Sequence, residues 1–361
     1  MSLFDILAIL GKVAFVLAVV LGSVPLIVWF ERRGSAWIQG RVGPNRVGPF
    51  GLFQPFVDVV KFATKENFVP RDSSKVYYHL APALAVVAPL AAFAVIPFGS
   101  QIIVMGQAIQ LQITQLDIGI LAILAFAGLE IYPVMLAGWS SNNKYGVFGA
   151  LRGSSQMMSY EIAFGLSLAS MLLVYGTFDL NEMVRYQQNT FFGFLPKWGI
   201  LLNPLSFLIF LIAIFVETNR LPFDLPEGDS ELVAGYHIEY GATKFMMFFF
   251  AEYVAMIMAS SVLVTLFLGG YATLPGVGLL IHTLGISLDL TSDNQQNLLA
   301  LGQVTSFIFK VALIMIFYVW VRWTLPRFRF DQLMNLGWKI LFPLSLINLM
   351  FVASFLAWIG G

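Results

Sequence analysis

Residues 242–270 read ATKFMMFFFAEYVAMIMASSVLVTLFLGG, and Lys244 and Glu252 are the charges in this run. A bilayer core needs about 20 consecutive apolar residues to be crossed by a helix, and this run exceeds that. Working outward from it, comparable runs recur at roughly 8–30, 77–98, 118–139, 157–176, 199–217, 298–321 and 338–359. The composition agrees: 58% of residues are hydrophobic and 11% are charged, against about a quarter charged in soluble domains. The expected fold is an all-α polytopic membrane protein of about eight transmembrane helices, occupying residues 1–361 as a single membrane domain. The first run begins near Met1 but is too long for a signal peptide. It meets Glu31-Arg32-Arg33 instead of a small-residue cleavage site, so it reads as a retained helix.

Charge sets the expected orientation. Arg32, Arg33, Arg41, Arg46, Lys61, Lys65, Arg71 and Lys75 all follow the first run. Lys144 and Arg152 follow the third, Arg220 and Lys244 the fifth, and Arg322, Arg327, Arg329 and Lys339 the seventh. The alternate connections hold Arg185 and Lys197, and 271–297 has no basic residue. By the positive-inside rule the basic connections face the cytoplasm and both termini lie outside it. Formal net charge is zero, which gives no electrostatic case for nucleic acid. The chain has no cysteine, so it cannot ligate an iron–sulfur cluster through thiolates or use a cysteine nucleophile. Its three histidines, His79, His237 and His282, have no metal-ligand spacing.

Two connections are unlike plain loops. Residues 31–75 open with a turn punctuated by Gly40, Gly43, Pro44, Gly48, Pro49 and Gly51. Then Leu52, Phe53, Phe56, Val59, Val60 and Ala63 recur with helical spacing, opposite Gln54, Lys61 and Lys65. That pattern predicts an amphipathic helix too short to span, lying on the membrane surface, with Asp58 close to its apolar stripe. Residues 218–241 crowd Asp224, Glu227, Asp229, Glu231 and Glu239 among apolar side chains. Carboxylates packed in a poorly hydrated site cannot all ionise together, so they suit proton exchange near neutral pH.

Ionisable groups inside spans are functional candidates because lipid penalises them. They are Glu130, Glu161, Glu252 and Lys310, with Glu217 closing the fifth run. Under the expected orientation the acids descend from the cytoplasmic edge to the midplane and stop there. Asp5, Lys12 and Lys310 are expected to be structural: the first two by reaching solvent, Lys310 by pairing with a buried glutamate. No Ser-His-Asp or zinc constellation accompanies the acids, which argues against a hydrolase.

The strings ERRGSAWIQGRVGPNRVGPFGLFQPFVDVVKF (31–62) and ETNRLPFDLPEGDSELVAGYHIEYG (217–241) resemble two signature segments of one family. That family is the H subunit, also numbered 1, of proton-pumping NADH:quinone oxidoreductase, respiratory complex I. The resemblance covers essentially the whole chain. It implies a subunit joining the membrane arm to the peripheral arm and forming the membrane side of a quinone chamber. Glu31, Arg32, Arg41, Arg46, Asp58 and Asp72 would border that chamber, and Phe53 and Phe56 would give apolar wall to an isoprenoid tail. Asp224, Glu227, Glu231, Glu217, Glu161, Glu130 and Glu252 would form the proton relay. Flavin and iron–sulfur clusters would sit in partner subunits, with no haem here. The quinone is ubiquinone or menaquinone, whose tails would meet the same walls. The expected setting is a bacterial cytoplasmic (inner) membrane. An anchor subunit of a membrane-bound hydrogenase, or a stand-alone ion-coupled transporter, would use the same acids.

Overall fold

The computed structural model describes residues 3–191, 195–226, 228, 233–274, 276–278, 283 and 291–360. Among them, seven helical stretches are long and apolar enough to cross a membrane: Leu3–Ile38, Lys75–Ala92, Gly119–Ser140, Lys144–Tyr175, Ala242–Phe267, Ser292–Thr324 and Phe330–Ile359. We number the helices α1 (Leu3–Ile38), α2 (Gln54–Thr64), α3 (Lys75–Ala92), α4 (Gly119–Leu129), α5 (Ile131–Ser140), α6 (Lys144–Tyr175) and α7 (Leu180–Gln188). Then follow α8 (Gly199–Leu202), α9 (Pro204–Glu217), α10 (Ala242–Phe267), α11 (Ser292–Thr324), α12 (Phe330–Asn335) and α13 (Phe342–Gly360). A small antiparallel hairpin, Gln101–Val104 with Gln107–Gln110, joins α3 to α4. The architecture is an all-α polytopic membrane bundle.

The span expected at 199–217 is not one continuous helix. Asn203 accepts a hydrogen bond from the Ser206 amide and Pro204 occupies the first helical turn, so a new helix starts there. The 14 residues of α9 rise about 21 Å, short of the roughly 30 Å hydrocarbon core. Such a helix needs protein around it, and α9 is packed against α6 with Ile209, Phe210, Ala213, Ile214 and Val216 buried. A polar seam fixes the pair. Ser206 Oγ donates to the Ser167 carbonyl at 2.8 Å and lies 2.9 Å from Ser170 Oγ. Asn348 of α13 donates to Ser170 Oγ at 3.3 Å.

The third span is divided into α4 and α5 at Glu130. Pro133 supplies the reason: it has no N–H to offer the Leu129 carbonyl, and its ring crowds that position. Beyond Glu130, α5 and α6 approach through small residues. A Cβ added at Gly138 would sit 2.4 Å from both Ala150 Cβ and the Gly146 carbonyl oxygen, the kind of close approach that membrane helices use in place of a hydrophobic driving force. Other helices outrun their expected bounds. α1 continues past residue 30 to Ile38, so Glu31, Arg32 and Arg33 are helical, and α6 begins at Lys144.

The two lysines expected to be structural are held by backbone carbonyls. Lys310 is not paired with a glutamate: its Nζ donates to the Gly270 and Ala272 carbonyls at 3.0 and 2.7 Å, over the Trp198 ring. The cause is position, since Lys310 packs beside the chain leaving the C-terminus of α10, where carbonyls lack helical donors. Lys12 donates to the Gln112 carbonyl at 2.6 Å, so it staples α1 to the segment after the hairpin as well as reaching toward solvent.

Gly138→Val tests the α5–α6 contact. Overpacking of this kind costs about 1–3 kcal/mol, so the variant's thermal aggregation midpoint in detergent should drop by several degrees. Gly165→Ala, where an added Cβ meets nothing within 4 Å, should match the wild type. Equal midpoints for all three proteins would refute the tight seam.

Candidate functional site: a buried charge cluster and its carboxyl cavities

The Gly/Pro turn carries α1 back onto α2. Gly51 has φ +74°, and a Cβ there would lie 2.2 Å from the Pro44 carbonyl oxygen. The turn therefore folds flat on itself only with glycine at that point. α2 has the predicted amphipathic character, and Arg32 on α1 pairs with Asp58 on α2. Gln54 Nε2 donates to the other Asp58 oxygen at 3.2 Å. Phe53 and Phe56 are half exposed with ring centroids 6.4 Å apart. Arg41 bonds Gln39 and, in the last turns of α1, Ser35, while Arg46 and Asp72 are exposed.

Glu31 is different. It is 6% exposed, with Tyr253 donating to Oε2 at 2.8 Å and Arg322 against Oε1. Arg220, 4% exposed, lies 4.0 Å from Glu31 Oε2 and 3.3 Å from Glu252 Oε2, with its guanidinium 4.4 Å from the Tyr253 ring centroid. The arginine following the end of α9 thus bridges a carboxylate of α1 and one of α10, while α11 contributes Arg322. Two carboxylates face two guanidinium groups, and the Phe249 and Tyr253 rings pack on Arg220. This balance is what permits ionised groups at such depth, because an isolated buried charge costs several kcal/mol.

Three further acids gather beside this network. Glu130, Glu217 and Glu252 line one cavity of about 50 Å³, together with Pro133, Asn219, Tyr236 and Phe248. Glu161 and Glu217 line a second of about 10 Å³, with Tyr160 and Ala213. Glu217 lines both, between Glu130 and Glu161. The break made by Pro133 exposes Glu130 to the first cavity, and its Oε1 is buried without a hydrogen-bond partner among the described residues. Gly128 makes room for Glu161: a Cβ there would lie 2.7 Å from Glu161 Oε1. A cavity needs about 10–15 Å³ to hold one water, so the larger has room for several and the smaller for about one.

The acids therefore gather around Glu217, which lines both cavities. Asp224 lies at the edge of the group, paired with Arg327 at 3.0 Å. Glu227 and Glu231 lie outside the described residues. Sequence reasoning missed Arg220, Tyr253 and Arg322 as parts of the site. Both arginines look like orientation charges in the sequence, because partners 189 positions away for Arg220 and 291 for Arg322 leave no local signal. The usable clue was Arg220 standing three residues after Glu217 at the end of an apolar run.

An apolar groove of about 490 Å³ runs between α1, α10 and α11, from Phe15 and Phe98 to Trp29 and Phe30. Its latter end is one residue from Glu31. Trp29 Nε1 donates to the Phe50 carbonyl at 3.0 Å, so the same end touches the Gly/Pro turn. Among the described residues, no group of His, Asp and Glu side chains is arranged to hold a metal ion.

Comparison with known proteins gives a consistent result. A family model described as NADH dehydrogenase matches residues 11–353. A protein of Bdellovibrio bacteriovorus, named as the H subunit of NADH-quinone oxidoreductase, is 44% identical over 95% of this chain and 94% of the relative. One of Cytophaga hutchinsonii, named as H subunit 1 of NADH-quinone oxidoreductase, is 44% identical over 90% of this chain and 89% of its own length. One of Geobacter sulfurreducens, named as H subunit 2 of NADH-quinone oxidoreductase, is 41% identical over 94% of each chain. A match of this extent takes in both signature segments, the buried ion-pair network and every carboxyl of the two cavities, and with it the chain belongs to the NADH dehydrogenase family, as an H subunit of NADH-quinone oxidoreductase.

Proposed function

We propose that this chain forms the membrane-side wall of a quinone chamber in a multisubunit NADH–quinone oxidoreductase and couples quinone reduction to proton translocation through its buried carboxyl groups. Arg220 carries the proposal. It touches Glu31, which lies in α1 between Trp29 and Arg33, the side chains that bond Phe50 of the Gly/Pro turn, and Glu252, which lines the same cavity as Glu130 and Glu217. A change of charge on the quinone side is felt by Glu31, redistributes the attraction of Arg220 and Arg322, and alters how strongly Glu252 is held. In a poorly hydrated site such a change of partner moves proton affinity substantially.

The chamber reading draws on the groove as well. A quinone pairs a polar ring with a long apolar tail. The groove offers an apolar path whose lining ends at Trp29 and Phe30, next in the chain to Glu31 and to Arg32, which pairs with Asp58, and Phe53 and Phe56 of the following segment are exposed. Among the described residues, the groove's apolar lining holds nothing that would distinguish a ubiquinone tail from a menaquinone tail. The protein's own work is to bind and orient the quinone from the membrane side. Electrons reach the ring through partner subunits of the peripheral arm, which hold flavin and iron–sulfur clusters, and neighbouring membrane-arm subunits receive the charge displacement.

The relay itself runs through Glu217, Glu161, Glu130 and Glu252, with water in the two cavities closing the gaps between carboxyl groups. Asp224, Glu227 and Glu231 feed it from the acidic segment, with Arg327 holding Asp224. Crowded carboxyls share protons, so one proton added at the edge displaces another further in.

Glu217→Gln and Glu161→Gln, each introduced into the intact complex, should lower protons translocated per NADH at least about tenfold, the scale of losing a positioned proton carrier. Acidification of inverted vesicles, normalised to NADH oxidation, measures this. Wild-type yields in both variants would rule out the relay.

Orientation has its own test, because the chain lacks cysteine and any introduced thiol is unique. An impermeant maleimide should label Thr190→Cys from outside intact cells and Lys65→Cys only in inverted vesicles. The opposite pattern would reverse the placement of the acids relative to the cytoplasm.

A further inference from the structure

Gln156 of α6 has no exposed surface and no titratable group, and neither the ion-pair network nor the two cavities include it. Its Nε2 amide nevertheless meets three acceptors, in the last turn of α9 and the chain leaving it: the Phe223 carbonyl at 2.9 Å, the Val216 carbonyl at 3.1 Å and Asn219 Oδ1 at 3.4 Å. An amide nitrogen has two protons, so the two carbonyls take the good bonds and Asn219 a weaker one. Those carbonyls also accept the turn's own amides, Asn219 N–H on Val216 and Leu225 N–H on Phe223. One buried side chain thus spans the turn from the end of α9 to the acidic segment, with Glu217 and Arg220 between its two anchor points.

The same segment is held from the opposite side. The Phe328 amide donates to the Pro222 carbonyl at 3.1 Å, the Phe223 and Phe328 rings stack at 5.4 Å, and Arg327 pairs with Asp224. Residues 216–224 are clamped between α6 and the strap after α11. On the α6 side Gln156 supplies the hydrogen bonds. Its neighbour Met157 lines both carboxyl cavities, so a shift between Gln156 and the turn is also a shift of Glu217 against Glu161.

We propose that Gln156 is a positioning residue for proton transfer: it fixes Glu217 and Arg220 relative to α6, setting the spacing of the carboxyl groups. This rests on the relay described above. Gln156→Met removes the donor at nearly constant volume. Two readings on the purified intact complex decide the matter. Amide hydrogen exchange over residues 216–226 should quicken at least about tenfold. Protons translocated per NADH, a ratio independent of how much complex assembles, should fall at least about twofold.

Unchanged exchange would overturn the tether. Faster exchange with an unchanged proton yield would overturn the positioning role even if Glu217→Gln and Glu161→Gln still abolish pumping, so the two failures are separable. If Gln156→Met does not accumulate, Gln156→Asn, one methylene too short for all three acceptors, decides by the same two readings.

Discussion

The bundle depends on a buried exchange of charge. Arg220 stands between Glu31 and Glu252, and Arg322 covers the other oxygen of Glu31. Each partner comes from a different part of the chain: α1, the turn after α9, α10 and the end of α11. Removing one member of such a network leaves a charge without compensation and costs about 3–5 kcal/mol. These four elements are therefore obliged to meet at one point, and the packing around them follows. The network also sorts the acids. Glu31 and Glu252 have guanidinium partners, whereas Glu130, Glu161 and Glu217 face cavities and one another. Glu252 belongs to both sets, paired with Arg220 and lining the first cavity, so it is where the ion-pair network meets the proposed relay.

Much of this was legible in the chain and some was not. The long apolar runs and the amphipathic stripe of α2 are local patterns, and local patterns survive into structure. α9 departed from expectation because hydropathy averages over Asn203-Pro204, which starts a new helix inside an apolar run. Pro133 was visible, but its effect at Glu130 appears only when the missing hydrogen bond is counted back four residues. The ion pairs were illegible for a stronger reason: a salt bridge joining α1 to the turn after α9 is a property of the packing. Arg220 and Arg322 look from the sequence like loop charges, since the same residue types do mark orientation elsewhere. Gln156 is uncharged and sits in an apolar helix, so nothing in its neighbourhood singles it out.

The two ends of the bundle handle charge differently. Near Arg220, cations meet carboxylates. Toward the other end, Lys310 meets the Gly270 and Ala272 carbonyls, and Gln187 ties α10 by donating to the Thr265 carbonyl at 2.8 Å and accepting from the Gly269 amide at 2.9 Å. Carbonyls hold a cation without taking up a proton, so these contacts are staples. From Val254 to Phe267, α10 has no acidic side chain, a stretch of about 20 Å. A proton leaving Glu252 along the helix axis would have no carboxyl to reach.

That absence turns attention to the side of the bundle. Glu161 is half-buried, seated in the notch that Gly128 leaves in α4. Around it Leu129, Met158 and Ile162 are exposed, on a face that a bilayer or a neighbouring helix must cover. Glu217 is the member common to both cavities, so a proton displaced from Glu130 or Glu252 passes it before reaching Glu161. With the axial direction blocked and the lateral one provided with a carboxyl at the edge, the relay proposed here discharges sideways. A neighbouring membrane protein with an acidic or basic side chain at that height would continue it, and this chain would then act as the input stage of a longer charge path without being a complete proton channel.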